Sequence, residues 1–355
     1  MTRNRTLATP MLYVVALVGA LLAGWQTWST SQAAVMPIIA GWPELQHTPA
    51  IAQHNQHWKA ASSGKAVIPA TTIVVNSLAD GAPANNGQCT LREALINANN
   101  NNQSGSTDCV AGSGRDAINF SVTGTINLTG GLPSITDNLN LYGPGASQLT
   151  VRRDTGGDYR IFTINPGITV DIVKLTITKG SLPASEGGGI LNAGALMLID
   201  CAVTDNLANG GGGIMNTGLL EMTGCTISGN HANFDGGGLY NLGNGIAHLT
   251  NCTFSANAGT SSGITTAAGS GQTATSTLTN CTLTAHSSGS STIRNINLGA
   301  GVNVITQLRN TLVAGNNGTN FHIDAGTTLT SRGGNFDSDG SSGFTDGLKG
   351  TAQFK

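Results

Sequence analysis

Few residues of this 355-residue chain could do acid–base or nucleophilic chemistry, so their spacing decides what chemistry is open to it. Between Gly187 and Asn310 the acids are Asp200, Asp205, Glu221 and Asp235, and the Lys/Arg residues are Arg294 and Arg309. Glycoside hydrolysis needs two carboxyl groups held at a set separation across the scissile bond. These four acids share no repeated position: Asp200 directly precedes a cysteine, Asp205 lies four residues after it, and Glu221 lies four before the next cysteine. β-Elimination on a uronic acid needs a base beside a charge-neutralising cation or acid-held metal, and no dense acidic cluster is present. Lys174 and Lys179 flank Leu175, with Arg152, Arg153 and Arg160 upstream. They read either as a basic groove for an acidic glycan or as solvated charges that keep strand edges from pairing. His231 and Asp235 share one turn without a nucleophile. Asp337-Ser338-Asp339-Gly340 begins like a calcium loop but lacks the carboxylate that closes one, and reads as a polar turn. No residue is assigned a catalytic role, and no cofactor or metal is implied.

The elements that position these groups are set by repetition. Gly187-Gly188-Gly189-Ile190-Leu191-Asn192 recurs as Gly211-Gly212-Gly213-Ile214-Met215-Asn216 and Gly236-Gly237-Gly238-Leu239-Tyr240-Asn241. Each copy leads through a short apolar run to a cysteine and then an asparagine: Cys201 and Asn206, Cys225 and Asn230, Cys252 and Asn257. The steps are 24 and 25 residues between the aliphatic anchors, and 24 and 27 between the cysteines. Such a period marks a solenoid, in which one coil cannot bury its apolar face alone. Three short strands and their turns fit a coil of this length, giving a single-stranded parallel β-helix. Repeated positions then stack about 4.8 Å apart. Ile190, Ile214, Leu239, Ile264 and Ile293 form a core row on this reading. Leu175, Cys201, Cys225, Cys252, Cys281 and Thr311 form another. Its cysteines read as buried apolar groups, with inter-coil disulfides as the alternative. Asn192, Asn216, Asn241 and Asn295 face inward with the anchors, and Asn206, Asn230 and Asn257 line another corner until His286 breaks the run. The sequon Asn251-Cys252-Thr253 is set aside as lying on inward positions. Later coils carry insertions such as 260–276, expected as loops on one face. A single strand is expected over 169–177.

Charged residues make up 10% of the chain and aromatics 5%, with 50 glycines. Short bursts of Val, Ile and Thr between Gly/Asn turns fit many short strands and argue against disorder. Arg3 and Arg5, an apolar run from Met11 to Trp25 and Ser31-Gln32-Ala33-Ala34 read as a secretory signal over 1–33, cut after Ala33 or Ala34. An uncleaved anchor is the alternative, and both place the body outside the cytoplasm. Removing 1–33 takes two arginines and no acid, leaving 14 basic and 18 acidic residues, net −4. No Lys/Arg cluster suits phosphate neutralisation, so nucleic acid is not an expected partner. Residues 34–70 mix Pro, Gln, His and Ala without periodicity and read as a linker or pro-segment.

Residues 71–118 read as an N-terminal cap and 119–355 as coils plus a C-terminal tail. Thr90 and Glu93 have capping-box spacing, and Leu91, Ala94, Leu95 and Ala98 form one apolar stripe. This predicts a helix from Thr90, ended by the run Asn99–Asn102, that covers the open end of the first coil. Cys89 and Cys109, 20 residues apart, are a plausible disulfide in an exported protein; two free thiols are the alternative.

Cys89-Thr90-Leu91-Arg92-Glu93-Ala94 resembles the C-S-L-R-E-A signature of exported bacterial β-helix proteins with polymorphic outer-membrane-protein-like repeats, with threonine for serine. The similarity extends through Gly143-Pro144-Gly145, the Gly-Gly-Gly-Ile-x-Asn repeats and Asn280-Cys281-Thr282, covering roughly residues 72–340. Gly334-Asn335-Phe336-Asp337-Ser338-Asp339-Gly340 is similar to the segment preceding a C-terminal anchoring region in such proteins. The resemblance implies a right-handed parallel β-helix on or outside a bacterial surface, and no agreed activity. The expectation is therefore a secreted or cell-surface, monomeric β-helix that binds extracellular polysaccharide or another surface through a flat Ser/Thr/Asn face. A polysaccharide lyase or glycoside hydrolase on the same fold is the rival. Ice or mineral binding by Thr275, Thr277, Thr279 and Thr282 ranks last.

Overall fold

The computed structural model describes residues 71–286, 291–345 and 348–349. The expected signal over 1–33, the expected linker over 34–70 and the end of the tail lie outside the described residues. From Thr72 the chain winds into an all-β parallel solenoid of about eight turns, with one α-helix among the described residues. No helix among the described residues is long and apolar enough to cross a membrane.

One coil shows the plan. Ile190–Asn192 belongs to a seven-stranded sheet (sheet 3), Ala195–Ile199 to a ten-stranded sheet (sheet 1), and Ala202–Thr204 to a second ten-stranded sheet (sheet 2). Leu207–Ala208 then pairs in a three-stranded sheet absent from the three-strand expectation. Ile190, Ile214, Leu239, Ile264 and Ile293 stack in register, preceded by Phe162 and followed by Phe321. The five aliphatic anchors are wholly buried.

The expected strand over 169–177 is two strands, Thr169–Val173 in sheet 1 and Thr176–Thr178 in sheet 2. Lys174 breaks it with φ +57°, and the matching corners Asp200, Gly224, Asn251, Asn280 and Asn310 also lie between +47° and +66°. Gly, Asn and Asp visit this left-handed region most readily, which explains why they dominate the corner. Asn251 is consequently exposed and only Cys252 is buried, so the sequon's asparagine does not point inward. The insertion at 260–276 does not form a loop either. It lengthens the strands to Ser261–Ala268 in sheet 3 and Thr273–Thr279 in sheet 1, with Ala268, Ala274 and Val304 as a small core under the widened corner.

The corner after Asp200 holds Cys201, Cys225, Cys252 and Cys281, all free and at most 2% exposed. Each thiol lies against carbonyls, as Cys201 Sγ does at 3.3 Å from those of Ile172 and Ile199. Hydrogen bonding along the row, and then burial, push the Cys225 and Cys281 thiols up. The same hydrogen bonding along the row pushes the Cys201 and Cys252 thiols down.

The helix spans Leu91–Asn100 with Thr90 as N-cap. Glu93 N–H donates to Thr90 Oγ1 while Thr90 N–H donates to Glu93 Oε2 at 2.9 Å, closing the box, and Asn101 ends the helix at φ +53°. Leu91, Ala94, Leu95 and Ala98 share one buried cluster with Ile73 and Ile118 of the first strands. Cys89 and Cys109 form a disulfide. Arg92 grips Asp80 with two donors at 2.9 Å and donates to the carbonyls of Gly130 and Gly131.

Two internal amide ladders finish the frame. Asn192 Nδ2 donates to Asn216 Oδ1 at 2.7 Å, and Asn216 Nδ2 to Asn241 Oδ1 at 2.8 Å. Thr266 occupies the next register position, and Ser276, Thr266 and Thr306 relay the bonding to Asn295. At the other corner Asn206 donates to Asn230 and Asn230 to Asn257. His286 does not break this second row: its Nδ1 accepts from Asn257 N–H at 3.2 Å. Burial pushes the His286 imidazole down to about 4, and its Nε2 is buried without a hydrogen-bond partner. The unfolded chain, with a histidine near 6.5, therefore binds the proton first on acidification. Stability is full above about pH 6.5, falls below it, and drops by about 2 kcal/mol by pH 5. Urea denaturation at pH 7.5 and pH 5 should show this loss in the wild type and a smaller one in His286→Asn, whose amide can continue the row. Equal losses in both would remove His286 as the cause.

Candidate functional site: a hydroxyl face on sheet 2

Alternation along the short strands of sheet 2 sends one residue inward and two outward. Ile177, Val203, Ile227, Phe254 and Leu283 point in and are wholly buried. The residues before them, Thr176, Ala202, Thr226, Thr253 and Thr282, stack in register as one outward file. The residues after them, Thr178, Thr204, Ser228, Ser255 and Thr284, form a second. Nine of these ten side chains carry a hydroxyl, so the face offers donors and acceptors on a grid rather than at one point. Parallel-sheet geometry sets that grid at about 4.8 Å between coils and about 6.6 Å between files. Thr204 Oγ1 donates to Thr178 Oγ1 at 3.1 Å, and Thr176 Oγ1 to the Ala146 carbonyl. Thr226 is exposed and Ser228, Thr253, Ser255, Thr282 and Thr284 are half-buried, so the middle of the grid meets solvent.

Two left-handed corner rows border the face. On the sheet 1 side Asn280 Nδ2 donates to Asn251 Oδ1 at 3.2 Å and Asn310 Nδ2 to Asn280 Oδ1 at 2.8 Å, an amide rail outside the barrel. The other edge runs Lys179, Asp205, Gly229, Ala256, Ala285 and Gly315, all with positive φ. Both edges are neutral from the third of these coils onward; charge gathers at the N-terminal end.

That end holds the cations read as a possible groove. Arg152 lies opposite Thr178, which brings Arg153 beside Lys179. Arg152 pairs with Asp154 at 3.0 Å and Lys179 with Asp205 at 3.3 Å, both exposed pairs, while Arg153 Nε donates to the Lys179 carbonyl. Lys174 stands across the strand on the opposite edge, and Arg160 donates to the carbonyls of Glu186 and Gly187. The hydroxyl files were legible as Cys225-Thr-Ile-Ser, Cys252-Thr-Phe-Ser and Cys281-Thr-Leu-Thr. Spacing within a single strand, by contrast, groups Thr275, Thr277 and Thr279 with Thr282, although the first three lie on sheet 1 and Thr282 on sheet 2.

A second polar cluster lies on the outward face of sheet 3, where Tyr240, Thr265 and Arg294 are consecutive in one row. Arg294 Nη1 pairs with Asp235 Oδ1 at 2.9 Å across 59 residues, so the partner of Asp235 is an arginine two coils away. Burial, and then the Asp235 charge, push the Tyr240 phenol up to about 12. At neutral pH it stays protonated and does not act as a base. The register signal was present in the sequence: Tyr240 and Arg294 each follow an anchor, Leu239 and Ile293. Asp337 and Asp339 bind local groups, Asp337 accepting from Asn320 Nδ2 and Ser342 N–H and Asp339 from Asn320 N–H, as a polar turn does.

The chain matches no protein-family model, and no curated protein is significantly similar to it in sequence.

Proposed function

We propose that this chain is an exported β-solenoid whose hydroxyl face on sheet 2 binds a neutral extracellular polysaccharide. The observation that supports it is the pair of Ser/Thr files, repeated at strand spacing and free of charge over their middle coils. A glycan chain presents hydroxyls as both donors and acceptors, which such a grid can meet at successive coils without reorganisation. Export, the right-handed coil that strand twist favours in parallel crossovers, and the helix Leu91–Asn100 as a cover for the first coil belong to the same reading. So does the resemblance to exported C-S-L-R-E-A proteins.

Electrophoresis through gels carrying neutral or acidic polysaccharides tests this. Retardation by a neutral polymer that remains intact is expected, and Thr253→Lys with Ser228→Lys should weaken it by roughly tenfold or more. Both positions are partly exposed, so the fold survives the change. Retardation by acidic polymers alone, lost in Lys179→Ala, would move binding to the basic end. Cleared zones in the stained gel would instead favour the lyase or hydrolase reading, which the convergence of Asp235, Arg294 and Tyr240 supports, and Asp235→Asn would then abolish clearing.

A further inference from the structure

We infer that the outward face of sheet 3 carries a second site, a clasp for one neutral sugar unit. It lies on a different sheet from the Ser/Thr files and does not rest on them. Tyr240, Thr265 and Arg294 follow the inward anchors Leu239, Ile264 and Ile293, so alternation turns all three outward. Their coils step by about 4.8 Å, which sets a short side chain between two long ones. Asp235 belongs to the turn that leads into the Tyr240 coil, and its partner Arg294 starts two coils further on. The ion pair therefore spans the coil of Thr265, whose side chain is wholly buried.

Two polar atoms of this patch lack a partner. Thr265 Oγ1 and Arg294 Nε, on register neighbours, are both buried without a hydrogen bond. Buried polar groups are nearly always bonded, so two orphans side by side call for a partner that the free chain does not supply. The Tyr240 ring beside them is seated against bare backbone, since a Cβ at Gly210 would stand 3.0 Å from its Cδ1.

The charges select the ligand's chemistry. Asp235 already neutralises Arg294, and the Asp235 and Glu186 carboxylates both act on the Tyr240 phenol, which disfavours an anion. Arg160, the other arginine near Glu186, is engaged by the carbonyls of Glu186 and Gly187. A cation would meet Arg294. A neutral vicinal diol suits both partners of the pair. One hydroxyl donates to Asp235 while its neighbour accepts from Arg294, so opening the pair to admit the diol strands neither charge. The sugar oxygens then supply what Thr265 Oγ1 and the Arg294 Nε–H lack. Tyr240, protonated at neutral pH, keeps a hydrogen to donate to the same unit.

The chain has four tyrosines, Tyr13, Tyr142, Tyr159 and Tyr240, so fluorotyrosine labelling gives few fluorine NMR signals. That of Tyr240 is identified by its loss in Tyr240→Phe. Titration with methyl mannoside or methyl glucoside should shift this signal saturably in the millimolar range, and acetate should not. Asp235→Asn and Arg294→Lys should each weaken binding by roughly tenfold or more. Thr265→Val is the sharper variant. Its hydroxyl has no partner in the free chain, so stability to urea should not fall, yet binding should weaken severalfold. No shift with either glycoside would overturn the site, as would a response to acetate alone. So would binding that is unchanged in both Thr265→Val and Asp235→Asn. A shift abolished by Thr253→Lys with Ser228→Lys would also overturn it, by placing the sugar on sheet 2.

Discussion

Asn230→Ala is expected to lower the unfolding free energy by about 4 kcal/mol. Asn230 Oδ1 accepts from Asn206 N–H at 3.0 Å and from Asn206 Nδ2 at 2.9 Å. Its Nδ2 donates to the Val203 carbonyl at 2.9 Å and to Asn257 Oδ1 at 3.0 Å. Alanine leaves the Asn206 N–H and one of the two hydrogens of its amide without acceptors, and takes a donor from the Val203 carbonyl, in a region where Asn206 and Asn257 are at most 1% exposed. Each stranded buried group costs about 1–3 kcal/mol, which sets the total. Urea denaturation followed by circular dichroism measures it. Asn230→Asp sharpens the test, because a carboxylate keeps both acceptor roles but meets the Val203 carbonyl and Asn257 Oδ1 as a third oxygen. A loss within about 0.5 kcal/mol of zero, the size usual for surface changes, would mean water replaces the ladder.

Removing the Cys89–Cys109 disulfide by paired alanine substitution should destabilise the N-terminal coils by about 3 kcal/mol, the loop-closure value for the observed separation of 20 residues. The effect should be local. A solenoid coil contacts only its neighbours, so loosening one end leaves distant coils in place. Cys89 N–H donates to Asn76 Oδ1 and Asn76 N–H to the Cys89 carbonyl, which couples the disulfide to the residue following the first strand. Hydrogen exchange should therefore quicken in Thr72–Val75, Leu91–Asn100 and Asp116–Phe120 and stay unchanged beyond Leu249. Uniform acceleration across all coils would show that the solenoid unfolds as one unit.

How much of this could be read in advance follows from what each residue type reports. The anchors Ile190, Ile214 and Leu239 repeat at nearly constant steps, and a repeat of apolar residues fixes both coil and register. The helix was legible because Thr90 and Glu93 specify its start chemically, independent of tertiary context. The break at Lys174 was not, because lysine carries no left-handed preference and only its alignment with Asp200, Gly224 and Asn251 exposes the corner. The hydroxyl face was half-visible. Thr253 and Ser255 are neighbours in sequence, but what makes a surface of them is Thr226 and Thr282 in the adjoining coils. The pairing of Asp235 with Arg294 was hidden for a similar reason, since the 59 residues between them close only when two coils are counted in register.

The internal asparagine rows have a direction. Each side chain passes its hydrogen to the coil that follows, Asn192 to Asn216 to Asn241 and Asn206 to Asn230 to Asn257. The amide dipoles thus add head to tail and reinforce one another along the axis. Every interior coil receives one hydrogen and hands one on, as identical links in a vector. A duplicated link slots between its parents with both contacts already satisfied, so a gene for such a chain can lengthen or shorten by whole coils without reinventing its interior.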